Sequence, residues 1–243
     1  MEKELGAVDR IYHQVKEMAA SYQFKPEERL NESALAIRLE TSRTPLREAL
    51  NRLVAEGFLT SRHGNGFFCR SLNPAEIMDL YEARAAIESE AARLAARRAK
   101  PAELEALAAQ LDLSKDRYSP GASPVDLVRL DETFHLGLAA LSHNGELVRL
   151  LKNVNGRIHY VRLIDLQSLS ERDGPAAITT QPHGEILALV RDGDGERAAA
   201  AMRAHIERRL EEVTANVRAA FSQLYAPLEI ATSERRTQGS STL

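Results

Sequence analysis

The sequence predicts a mostly α-helical protein in two parts, a small mixed N-terminal unit and a larger all-helical one. Three observations carry that prediction. Ala, Leu, Arg and Glu abound while aromatics make up only 5% of the 243 residues, the profile of helix packed on helix. From about residue 74 to 222 apolar residues recur at helical spacing, broken only by short polar stretches. Ahead of that region, one strand-like pair follows several short helical patterns. An apolar fraction of 44% is ordinary for a globular chain, and no apolar run reaches the ~20 residues that span a bilayer, so no membrane partner is expected. The charged start "MEKELGAVDR" does not read as a signal peptide. A single cysteine, Cys69, excludes an internal disulfide and points to the cytoplasm. The net charge of −3 decides nothing about nucleic acid; the placement of positive charge does.

The N-terminal unit spans residues 1–70. Val8, Ile11, Tyr12, Val15 and Met18 set a first helix, which "KPEER" ends at Pro26. Asn31 is placed to cap a short second helix in "NESALAIRLE". "SRTPLREALNRLVAEG" makes a third, with Ser42 as N-cap, Pro45 in the first turn, Leu46, Ala49, Leu50 and Leu53 as buried stripe, and Gly57 as terminator. "FLTSR", "HGNG" and "FFCR" read as a hairpin around a glycine-rich turn. Two short helices joined tightly and followed by a hairpin describe a winged helix-turn-helix, whose second helix enters the DNA major groove. Arg43, Thr44 and Arg47 stand at the leading end of that helix, opposite its leucine stripe, and His63 and Gly64 form the wing tip. Arginine suits guanine edges or phosphate, and threonine suits phosphate or a thymine methyl. From charge alone, a solvated helix in an ordinary bundle accounts for the arginines equally well.

Residues 71–76 read as a linker that ends in a helix start, with Asn73 as N-cap, Pro74 first in the helix and Glu76 as capping-box carboxylate. The all-helical domain is placed at 77–222, with helices over 74–99, 101–117, 124–142, 145–168, 183–192 and 195–222. "SPGASP", "SHNG", "ERDGPAA" and "DGDG" punctuate them, and 223–243 reads as a disordered tail. Several polar residues fall on inward stripes: Arg84 and Glu88 on the first helix, Asp131 and His135 in "RLDETFH", then His183 and His205. One inward histidine is usually a satisfied core residue. Four such groups, two of them at i,i+4, share a solution in one divalent cation. Imidazole plus carboxylate suits zinc, nickel or another first-row metal, zinc first, and the absence of thiolate disfavours a closed structural zinc site. Arg84 can clamp an effector carboxylate or pair with Glu88; Arg157 and Arg162 are weaker effector candidates, more at home on the surface.

"SRTPLREALNRLVAEGFL" with "HGNGF" resembles the DNA-binding domain of GntR-type bacterial transcription regulators, from about residue 8 to 70. The resemblance implies Arg43, Thr44, Arg47, His63 and Gly64 as DNA contacts. Where the family usually has glycine and valine, this chain has Glu40 and Thr41, so a positive φ there strains Glu40. Ser33 stands where members often carry a basic residue. Asp131, His135, His183 and His205 match the pattern of the FadR-like subfamily's FCD ligand-binding domain, in its metal-dependent branch, and "YEARAAIESEAARLAA" resembles that domain's opening helix. The implied protein is a metabolite-responsive regulator, a homodimeric repressor on palindromic double-stranded operator DNA with a small carboxylic or sugar acid as effector. The competing reading, a metal-dependent enzyme, lacks a carboxylate placed as general base and leaves the DNA-binding motif unexplained. A structural helical protein would explain the histidines but not the wing.

Overall fold

A computed structural model describes residues 6–115, 117, 122–173, 180–208 and 212–225, those at 170–173 by backbone alone. The N-terminal unit comprises α1 (Ala7–Ala20), α2 (Glu32–Arg38), α3 (Arg43–Ala55) and the hairpin β1 (Leu59–Arg62) and β2 (Gly66–Cys69). The strands pair antiparallel in the register Leu59↔Cys69 to Arg62↔Gly66. A lone bridge from Arg29 to Phe68 adds a short third edge, which the sequence reading did not foresee. As expected, Asn31 caps α2 by accepting from the Ala34 amide. Ser42 holds the N-cap position of α3 without a side-chain cap bond.

The same C-terminal device closes α2 and α3. After α2, Glu40 N–H reaches Ile37 O and Thr41 N–H reaches Ala36 O; after α3, Gly57 reaches Val54 O and Phe58 reaches Leu53 O. Both are Schellman motifs, which need a left-handed residue at the turn. Gly57 (φ 78°) meets that need freely, whereas Glu40 (φ 48°) occupies it with a β-carbon, the strain the sequence raised. Burial of Phe58 behind Gly57 locks the second motif into the core.

The C-terminal unit holds α4 (Pro74–Arg98), α5 (Pro101–Lys115), α6 (Pro124–Leu141), α7 (Gly145–Asp173), α8 (Gln181–Arg191), α9 (Gly195–Glu207) and α10 (Val213–Tyr225). α4 is central and packs most extensively on α9, with α6, α7 and α8 around it. Gly195 permits the close approach of α9, because a β-carbon there would lie 2.9 Å from Arg93 O. Asn73 caps α4 by accepting from Ala75 N, but Glu76 accepts from Ser71 Oγ rather than closing a capping box.

Several boundaries differ from the sequence reading. α7 continues through "ERD" to Asp173, since Glu, Arg and Asp offer no break before Gly174; 174–179 lie outside the described residues. α8 begins at Gln181 with Pro182 in its first turn, two residues before the expected start. The single helix expected over 195–222 is two, α9 ending at Glu207 and α10 starting at Val213. Residues 209–211 lie outside the described residues; α10 packs on α7, where Asn216 Nδ2 donates to Asp165 Oδ1 at 2.8 Å. Of the expected tail, 223–225 belong to α10, and 226–243 lie outside the described residues.

Relief of the left-handed strain is expected to make Glu40→Gly more stable by roughly 0.5–1 kcal/mol, after the entropy cost of glycine is subtracted. Gly57→Ala is expected to lose about 1–2 kcal/mol, since it adds the same strain. Urea midpoints of the two variants, moving in opposite directions, check both.

Candidate metal centre and nucleic-acid interface

Two sites emerge, one on each unit. Along α3, Arg43, Thr44 and Arg47 are exposed as the helical spacing requires, and His63 and Gly64 (φ 73°) are exposed at the hairpin turn. Arg43 and Arg47 line a groove of about 470 Å³ together with Arg29, Leu30, Asn31, Glu32 and Ser33. Arg43 donates to Ser33 Oγ at 2.9 Å, so the residue standing at the family's basic position orients a neighbouring arginine instead. Arg47 is held only loosely, 3.6 Å from Glu32, and lies over the Phe67 ring. Arg29 was missed in the sequence because it precedes α2, outside both helices of the motif.

The second site lies inside the helical unit. Asp131 and His135 on α6, His183 on α8 and His205 on α9 place one ligand atom each within 4.8 Å of one another. Bonds of about 2.1 Å to a common ion impose donor separations of roughly 3–4.3 Å, so small side-chain movements close the set. His183 Nε2 stands 3.3 Å from Asp131 Oδ1, and His135 Nε2 3.5 Å from Asp131 Oδ2. Among the described residues neither imidazole nitrogen makes a hydrogen bond there, and both are buried. Buried polar atoms without partners are costly, and a cation at their centre satisfies them together. The donor set therefore fits a divalent ion.

Glu88 supplies what the sequence did not reveal. It is 1% exposed on α4; one oxygen accepts from Arg84 Nε at 2.6 Å and the other bonds His135 Nδ1. With the proton held on Nδ1, the His135 Nε2 lone pair faces the cluster, the usual role of a carboxylate behind a ligating histidine. Burial opposes the charge on Glu88, yet His135 and Arg84 hold its pKa down to about 2. Burial likewise opposes charge on Asp131, but His135 and Arg162 keep it well below the usual range. Burial pushes His205 down to about 3 and also lowers His183, so both present neutral rings. His135 goes the other way: Glu88 and Asp131 outweigh its burial and raise it.

Beside the cluster lies a small cavity of about 80 Å³, lined by Tyr81, Arg84, Asp131, Arg162, Asp165 and His205 among others. Arg84 pairs with Glu88, as one sequence alternative expected, and also stands 3.9 Å from Asp131 at the cavity wall. Arg162 corrects its expected surface position. It is 5% exposed and its fork spans Asp131 Oδ2 and Glu132 Oε1. Arg157 does not line this cavity; it is half-buried elsewhere on α7, against Gly57.

Residues 7–69 match the bacterial regulatory proteins of the gntR family, and residues 79–208 match the FCD domain. The chain belongs to the GntR family. It is thus a DNA-binding transcriptional regulator of the FCD type and not an enzyme. This regulator is 41% identical to the Nta operon transcriptional regulator of Aminobacter aminovorans, over 86% of this chain and 95% of that one. It is 32% identical to the HTH-type transcriptional regulator YdhC of Bacillus subtilis, over 84% and 89% of the two chains. The fold is also that of E. coli McbR/YncC, with a TM-score of 0.64 at 21% identity, covering 90% of this chain and 99% of that one. Members of the family bind DNA and usually dimerise, and no helix among the described residues is long and apolar enough to cross a membrane.

Glu88→Gln keeps the shape and the contact to Arg84 but removes the carboxylate that fixes the His135 proton. In a zinc titration of the folded protein it is expected to bind 10–100-fold more weakly than the unmodified chain, with a lower urea midpoint as well, because buried Arg84 loses its charged partner. Equal affinity would remove Glu88 from the centre.

Proposed function

We propose that this regulator acts in the cytoplasm as a homodimeric repressor of a palindromic operator, released by a small carboxylic or sugar acid bound at a metal site in the helical domain. The observation that carries the reading is the convergence of Asp131, His135, His183 and His205 beside an arginine-lined cavity, in a chain that begins with a winged helix-turn-helix. Those four residues would hold a divalent ion, zinc by preference, which when bound supplies open positions for carboxylate or hydroxyl oxygen. Arg84 stands at the cavity wall to meet a second carboxylate oxygen, and Arg162 fixes Asp131 from behind. The cavity of about 80 Å³ favours an acid of few heavy atoms over a large one. A relative 31% identical, in E. coli, is named a putative L-lactate dehydrogenase operon regulatory protein, in keeping with a hydroxy acid as the effector class. A more distant relative in Paenarthrobacter nicotinovorans is named a probable D-xylose utilization operon transcriptional repressor, in keeping with repression.

On the DNA side, Arg43, Thr44 and Arg47 would meet bases or phosphates in the major groove, with His63 and Gly64 at the flanking backbone or minor groove. An acid that binds one domain arrangement better than the DNA-bound one weakens operator binding by the same factor that the operator weakens acid binding.

Arg47→Ala is expected to abolish the shift of a promoter fragment in a gel assay while leaving the thermal midpoint unchanged. An undiminished shift would remove Arg47 from the interface. In thermal-shift screening of small hydroxy and carboxylic acids, the effector should raise the midpoint by mass action, with the rise cancelled by EDTA. A rise that persists in EDTA would separate the effector from the metal.

A further inference from the structure

The seam between the two units holds a polar cluster that shares no residue with the metal centre or with the DNA-facing groove. Arg70, immediately after β2, is 6% exposed, and none of its three guanidinium nitrogens has an acceptor in hydrogen-bonding geometry among the described residues. Close to its charge stand the Tyr22 ring at 4.9 Å and the Phe58 ring at 5.9 Å. Ring faces attract the cation but do not replace the acceptors that five N–H groups lost on burial.

Across the seam stands Arg157 of α7. Its guanidinium lies against the bare α-carbon of Gly57, where a β-carbon would come within 3.0 Å of Cζ. Its Nε is buried and also lacks an acceptor among the described residues. Burial, and then the charge of Arg70, hold its pKa below the usual guanidinium value, so the two cations feel each other. Both line a cleft of about 370 Å³ with Thr60, Ser61, Ser71 and Glu76. Glu76 is the sole carboxylate of that lining; it is exposed and accepts from Ser71 Oγ at 2.8 Å. Two guanidinium groups with unused donors, hydroxyls between them and a single outlying carboxylate form a receptor for negative charge.

We propose that this cleft binds a small oxyanion, of the size and charge of inorganic phosphate, between Arg70 and Arg157. The planar guanidinium forks match an oxyanion's paired oxygens, and Thr60 and Ser61 offer hydroxyl donors at the rim. Because Arg70 closes the DNA-binding unit and Arg157 belongs to the effector unit, the bound anion ties the two together. It acts in addition to the effector cavity, which lies on the opposite face of α7.

The test uses the full chain, stripped with EDTA so that phosphate has no metal to bind, and titrated with inorganic phosphate at constant ionic strength against chloride. A saturable rise in thermal midpoint beyond that of chloride is expected. Arg157→Gln, at a half-buried position, should weaken the response at least tenfold. Ser61→Asp, at an exposed strand position that leaves the core intact, should abolish it by placing a carboxylate at the rim. Arg47→Ala should retain the full response, because it removes a cation from the DNA-facing groove only. A response no larger than chloride's, or one that survives both Arg157→Gln and Ser61→Asp, would overturn the proposal. Loss of the response in Arg47→Ala would assign the phosphate to the DNA-facing groove and overturn it equally.

Discussion

The carboxylate of Glu88 is the constraint around which the helical unit is arranged. A buried, ionised glutamate is tolerable only when both oxygens are engaged, and here Arg84 takes one and His135 the other. That demand joins α4 to α6. His135 in turn places the His183 and His205 rings about it, at 5.1 and 5.3 Å between centroids, which draws in α8 and α9. A helix interior that would otherwise be alanine and leucine thus surrenders packing for a charged chain of contacts. Such networks add little net stability over an apolar core, so their presence at the centre of α4 points to function.

α7 is the element the two units share. One face carries Asn153, which donates to Glu56 O at 2.9 Å, and Arg157, which packs on Gly57. Gly156 on that face lets the Phe58 ring approach, and Tyr160 meets the Tyr22 ring at 5.5 Å. At 100° per residue, Ile158, Arg162 and Asp165 fall on roughly the opposite face, and the last two line the cavity beside the histidine cluster. A rotation or shift of α7 would therefore be felt at both ends of the molecule. This is a packed two-sided element, the kind of physical connection through which sites can be coupled.

Much of this was legible in the residues. The winged helix-turn-helix followed from cap residues, a leucine stripe and a glycine-rich turn, all of which are local signals. Asp131, His135, His183 and His205 were legible as inward-facing groups because helical periodicity tells which face each occupies. Glu88 was visible on an inward stripe, but its bond to His135 spans 47 residues, and no periodicity reports a contact at that separation. Arg162 was misplaced at the surface because its burial depends on Asp131 and Glu132 from another helix. The separate bounds of α9 and α10 were not legible either, since "IERRLEEV" is helix-forming throughout.

By itself, then, the sequence determined the order and type of elements, the buried face of each helix and the residue types available for chemistry. These depend on backbone preferences and hydrophobic periodicity, which act within a few residues. Tertiary structure alone decided which inward polar groups meet, that Glu88 stands behind His135, and that Arg70 and Arg157 face one cleft. Those outcomes depend on how helices cross, and burial makes a polar group seek whatever partner the crossing brings within reach.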